Sequence, residues 1–124
     1  MGKKKRPPKW LANVDEHYFA AAASYLALVY PKDQCARLVA ALRAAELVQF
    51  KAKDVFRASQ LSLLGVSNSH VEKDRTAIDE GVRLSPLLLV RDTHNGKVVV
   101  ADGYHRLCAV YQVDEDAWIP CKIV

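Results

Sequence analysis

The stretch PLLLVRDTHNGKVVVADGYHR, Pro86 to Arg106, holds two apolar runs, a turn between them and a polar junction at the end. The runs, "SPLLLVRD" and "KVVVAD", are short and rich in branched residues, which suits β-strands. "THNGK" joins them, and Asn95-Gly96 is a strong short-range hairpin signal, because the turn needs residues that tolerate positive φ. The spacing therefore predicts an antiparallel pair. Directly after it, "GYHRLCAVYQV" places Leu107, Val110 and Tyr111 on one helical face. A strand thus runs through Asp102-Gly103 straight into a helix.

The pattern continues in both directions. "AWIPCKIV" at the end suits another strand. Upstream, "SNSHVEKDRTAIDEG" predicts a helix with Ser67, Asn68 or Ser69 as N-cap, Glu72 for a capping box and Gly81 just past its end. "LVQFKAKDVF" alternates Val48, Phe50 and Ala52 against Gln49, Lys51 and Lys53, which predicts a half-buried strand, with a turn or short helix at "RASQLSLLG". Further back, "DEHYFAAAASYLALVY" opens at Asp15 and closes at Pro31. "KDQCARLVAALRAAE" then spaces Cys35, Leu38, Val39 and Leu42 for a second helix. These two form a helical hairpin. Two outcomes are open for it, packing on the sheet or pairing with a second copy as a homodimer.

The expected fold class is α+β, a small mixed sheet with packed helices, preceded by an N-terminal helical hairpin. The expected boundaries are a solvated basic tail at 1–9, the hairpin at 10–46 and the sheet-bearing domain at 47–124.

At 124 residues and 51% hydrophobic composition, the chain has the means to bury one core and lies outside the disordered class. Its net charge of +4 is concentrated at one end. Removing Lys3, Lys4, Lys5, Arg6 and Lys9 from the 18 basic residues leaves 13 against 14 acidic ones. A general nucleic-acid surface is therefore not indicated; Lys3, Lys4, Lys5 and Arg6 would give only a weak, salt-dependent contact. Trp10, where the tail ends, is expected to anchor it rather than to stack on a base. No run reaches the ~18 apolar residues of a membrane span. Cys35, Cys108 and Cys121 sit in apolar contexts without a CxxC pair, as buried small side chains do in a reducing cytoplasm. No Cys/His spacing suggests zinc, and His17 and His94 read as bystanders.

The junction carries the chemistry. A helix N-terminus leaves backbone N–H groups unpaired and attracts anions, phosphate especially. Gly103 would give a ligand access, Arg106 would fork onto phosphate oxygens, and His105 would add a donor of variable charge. The plainer alternative is an N-cap at Asp102, a tight turn at Gly103 and a polar helix face. Adjacent His and Arg in a first turn oppose the helix dipole, which favours the anion reading.

"DGYHR" resembles the Gly-Gly-Cys-His-Arg of sulfiredoxins, the Gly-Glu-Arg-Arg of bacterial-type ParB partition proteins and the Asp-Gly-His-x-Arg of free-serine kinases. "IPCKIV" is similar to the sulfiredoxin ending Ile-Pro-Ala-Lys-Leu-Val. From Val48 to Val124 the chain thus resembles the ParB/sulfiredoxin superfamily. The resemblance implies a nucleotide, ATP, ADP or CTP, with Mg²⁺ as an accompanying ion. It assigns the phosphates to Gly103, Tyr104, His105 and Arg106, and aligns His70 and Lys73 with the residues that the preceding helix presents. Sulfiredoxin chemistry needs a cysteine where this chain has Tyr104, which argues against sulfinic acid reduction. The sequence also lacks a helix-turn-helix after the sheet. Asp102 would be the catalytic carboxylate of an NTPase or phosphotransferase, with Asp74, Asp92 and Glu72 as candidates for a second. The competing expectation is a non-catalytic, DNA-associated interaction module with a relic pocket.

Overall fold

The computed structural model describes residues 6–64 and 68–124. In chain order the elements are β1 (Lys9–Trp10), α1 (Glu16–Val29), α2 (Lys32–Ala44), β2 (Val48–Lys51), α3 (Ala52–Ser59), α4 (Ser69–Asp79), β3 (Arg83–Leu84), β4 (Leu87–Asp92), β5 (Lys97–Asp102), α5 (Tyr104–Val113) and β6 (Trp118–Ile123). The architecture is α+β with a mixed sheet of order β2-β6-β4-β5. β6 runs antiparallel to β2 and parallel to β4, and β4 and β5 form the hairpin expected around Asn95-Gly96. The Asn95 backbone N–H and side-chain amide both donate to the Asp92 carboxylate, and Gly96 adopts φ +64°.

β4 is buried on both faces, which explains its unbroken apolar sequence. Leu87 and Leu89 join a cluster with Val71, Ile78, Leu107, Val110 and Ile119 under α3, α4 and α5. Leu88 and Val90 face the other way, with Val99 and Ala101, onto Phe19, Ala22, Leu26 and Leu42 of the α1–α2 hairpin. The hairpin therefore packs on the sheet, and residues 10–46 share a core with residues 47–124. Cys35, Cys108 and Cys121 are all buried and free. No helix among the described residues is long and apolar enough to cross a membrane.

Several expectations shift. The tail ends before Lys9, because Lys9 and Trp10 pair in parallel with Arg83 and Leu84, and the Leu11 N–H donates to Leu84 O. Residues 1–5, including Lys3, Lys4 and Lys5, lie outside the described residues, as does Ser67. The strand from Val48 stops at Lys51 rather than continuing through Ala52. Ala52, Val55 and Ser59 are the buried positions of α3, at spacings of three and four that only a helix brings to one face. Asn68 is the N-cap of α4, its side chain accepting from the His70 and Val71 N–H groups. This places Glu72 one residue beyond the capping-box position. Asp15 occupies the N-cap of α1 without a side-chain cap; its own N–H donates to the buried Ser85 hydroxyl at 3.1 Å.

One irregularity matters for the junction. In the hairpin, Leu88 lies opposite Asp102 while Leu89 lies opposite Val100, so the register shifts and Ala101 has no partner of its own. Residues directly opposite share a face. Asp102 thus joins Leu88 on the α1 side of the sheet, instead of alternating onto the α5 side.

Gly103 follows at φ +110°, and a Cβ there would stand 2.7 Å from Leu87 Cγ. Leu87 is fully buried and has nowhere to retreat. Gly103→Ala is expected to cost about 2–4 kcal/mol through strain and overpacking. Gly96→Ala, at φ +64° with open space around it, is expected to cost about 1 kcal/mol. Denaturant unfolding of both variants checks this, and equal losses would contradict the packing role given to Gly103.

Candidate functional site

α4 and α5 pack side by side and run in the same direction. His70 in the first turn of α4 meets His105 in the first turn of α5, with ring centroids 4.8 Å apart. Further along, Arg75 Nη1 donates to Gln112 Oε1, and Gln112 Nε2 donates to Leu64 O at 2.6 Å. The positive ends of two helix dipoles therefore converge on one corner.

The two termini are not equivalent. Asn68 already occupies the first-turn N–H groups of His70 and Val71. α5 begins at a glycine and has no side-chain cap. Its Tyr104, His105 and Arg106 N–H groups have no hydrogen-bond partner among the described residues, and the first bond back is from Leu107 N to Gly103 O. Of the two termini, α5 is the one open to an acceptor. Asp102 is not its cap.

Arg106 does not present the free fork expected of it. Its side chain is buried, with the residue 7% exposed. Nη2 donates to Asp102 Oδ2 at 2.8 Å and approaches Pro86 O at 3.4 Å. The guanidinium lies over the Tyr18 ring of α1, 4.3 Å from its centroid. The register shift at Ala101 makes this possible by turning Asp102 toward α1. Nε is buried without a hydrogen-bond partner. Gly103 likewise serves the packing of Leu87 and Arg106 as much as any access.

Tyr104 turns toward the core cluster rather than standing free at the corner. Burial, with Cys108 beside it, pushes its phenol up to about 12, so it is no acid or base at neutral pH. Cys108 itself is fully buried, which places a thiol nowhere near solvent at the junction.

Asp74 is the residue that the sequence pattern undervalued. It lies one turn beyond His70 on α4 and is half-buried. Burial raises its carboxyl above the ordinary value, against the opposing pull of Arg106, His105, Lys73 and His70. The corner thus gathers His70, Lys73, Asp74, His105 and Arg106. Its only sequence signal was the i, i+3, i+4 spacing from His70. Glu72 is exposed on α4, and Asp92 belongs to the hairpin turn, away from this corner. No group of three or more His, Cys, Asp or Glu among the described residues is arranged to hold a metal ion.

Two outcomes follow. Asp102→Ala strands Arg106 as a buried, unpaired charge and is expected to lower stability by about 3 kcal/mol, measured by denaturant unfolding; a neutral result would show that the pair is dispensable. Asp74 acts in the opposite sense. Because the folded state holds its proton more tightly than the unfolded chain, Asp74 adds stability as pH falls from its raised value to the ordinary one. Asp92 and Asp116, lowered chiefly by their hydrogen bonds with Asn95 and Lys53, add stability above the ordinary carboxylate range and lose it on further acidification. Asp74→Asn is expected to be at least as stable as wild type at neutral pH and to lack the gain just above the ordinary carboxylate range. Unfolding across a pH series reads this directly.

Comparison of the chain with protein-family models, with curated proteins and with solved structures gave no match.

Proposed function

We propose that the corner between α4 and α5 binds the phosphates of a nucleotide, ATP, ADP or CTP, in a ParB/sulfiredoxin-like domain. The observation that carries this reading is the contact of His70 with His105 above the uncapped first turn of α5. Free N–H groups, a converging pair of helix dipoles and two imidazoles together suit a phosphate better than any neutral ligand. Lys73 adds a flexible cation at the rim, and the partly unsatisfied Arg106 adds field from beneath. The strand–glycine–helix passage and the parallel seat of β6 beside β4 support the superfamily resemblance.

The roles differ from those the motif alone assigns. His70, Lys73, His105 and the α5 N–H groups meet the phosphates, whereas Asp102 and Arg106 hold the junction in shape. Asp74 stands at the edge of the same corner, its carboxyl raised above the ordinary value by burial and pulled back by Arg106, His105, Lys73 and His70. Nucleotide hydrolysis or phosphoryl transfer, with Mg²⁺, is the enzymatic extension of this reading.

Calorimetry with ATP, ADP and CTP, with and without Mg²⁺, tests it on wild type, His105→Ala and a His70→Ala/Lys73→Ala double variant. Wild type is expected to bind at least one nucleotide, and each variant to lose about tenfold or more, the value of one charge-assisted hydrogen bond. Phosphate release in the same mixtures reports hydrolysis. Absence of binding by wild type sinks the reading, and undiminished binding by both variants moves the site elsewhere.

A further inference from the structure

A cavity lies at the other end of β5 from the α4–α5 corner. Between α3 and the sheet is a slot of about 230 Å³ with a floor drawn from all four strands. Phe50 of β2, Ile123 of β6, Leu89 of β4 and Val98 of β5 form the floor, and Val55 and Ala58 of α3 form the roof. The paired registers put Leu89 beside Ile123 and Val98 opposite Arg91, so these side chains share the α3 face. α3 covers this end of the face with only eight residues, and the slot is the space it leaves.

The mouth differs from the floor. It opens into a shallower groove of about 400 Å³ lined by Arg91, Thr93, Gly96 and Lys97, which shares Ala58 and Val98 with the slot. Arg91 has no carboxylate within salt-bridge distance among the described residues. The acid on the rim, Asp54, is paired with Arg57 at 3.9 Å. An apolar recess is thus edged by one cation, Arg91, that forms no salt bridge among the described residues, and by one acid, Asp54.

We infer that this slot binds a small carboxylate with an apolar body, an aryl or branched-alkyl acid, its body in the recess and its carboxylate on Arg91. Size sets the class. A dry cavity of ~150 Å³ takes a benzene ring, whereas drug-sized ligands occupy ~300–1,000 Å³. The slot therefore holds one ring with a short arm, and the arm reaches the mouth. Apolar burial supplies affinity and the guanidinium supplies orientation. Val98 and Asp102 lie about 13 Å apart along β5, so this site is separate from the α4–α5 corner.

The probes are 3-phenylpropionate and its neutral isostere 3-phenylpropanamide, titrated into ¹⁵N-labelled protein and followed by amide shifts. Saturable shifts are expected at Val55, Ala58, Leu89, Val98 and Ile123, with the acid bound about fivefold more tightly than the amide, as suits an ion pair at an exposed rim. Arg91→Gln, at an exposed side chain, is expected to remove that preference, and Ala58→Leu to block both probes. His105→Ala is expected to bind the acid as wild type does. Absence of saturable shifts at these residues, equal affinity of wild type for acid and amide, or loss of acid binding in His105→Ala would each overturn the assignment.

Discussion

A buried guanidinium is tolerated only when its surroundings are arranged for it, and the arrangement around Arg106 reaches into three parts of the fold. Asp102 comes from the end of β5, the Pro86 carbonyl from the entry to β4 and the Tyr18 ring from α1. Each must be in place before the charge can leave water. Swapping such a pair for apolar groups of the same shape often leaves stability unchanged, so its main effect here is to select one arrangement of strand end, helix start and hairpin. The register shift at Ala101, the left-handed Gly103 and the seat of Leu87 against it are the backbone conditions of that arrangement.

The corner above it inherits its shape from this anchor. With Arg106 fixed from below, His105 is held at the surface of the first turn of α5, where His70 of the neighbouring helix meets it. The motif DGYHR therefore splits by depth. Asp102, Gly103 and Arg106 belong to the foundation, Tyr104 leans on the core, and His105 is the member left facing outward with an open helix terminus beneath it. Residues adjacent in sequence have different duties because a helix turns by about 100° per residue, so neighbours leave it in different directions.

Much of this was legible beforehand. Asn95-Gly96, Gly81 and the apolar period of the hairpin helices marked their elements, because turns and helix ends depend on local chemistry. Ala52 belongs to α3 rather than to the strand its alternation suggests, because a small apolar residue satisfies a strand's alternation and a helix's face equally well. β1 was invisible, since two residues carry no period and its partner β3 lies more than seventy residues away. The ion pair was hidden for another reason. Asp102 and Arg106 stand at helix-like spacing, but only the unpaired residue in β5 turns the carboxylate toward α1, and no local pattern announces a register shift. Asp74 is one of three candidate carboxylates in the sequence, and nothing there separates it from Asp92 and Glu72, because its place depends on α4 lying alongside α5.

The two-sided burial of β4 also governs the order in which the chain can become structured. The α1–α2 hairpin is made of local contacts and can close within microseconds, yet its apolar face waits for Leu88, Val90, Val99 and Ala101. During synthesis that face is complete at Leu42, more than forty residues ahead of Leu88, the first of its partners. The hairpin is thus an early-formed piece that stays adhesive until the sheet arrives, and the interval is when this chain is most exposed to association with its own copies.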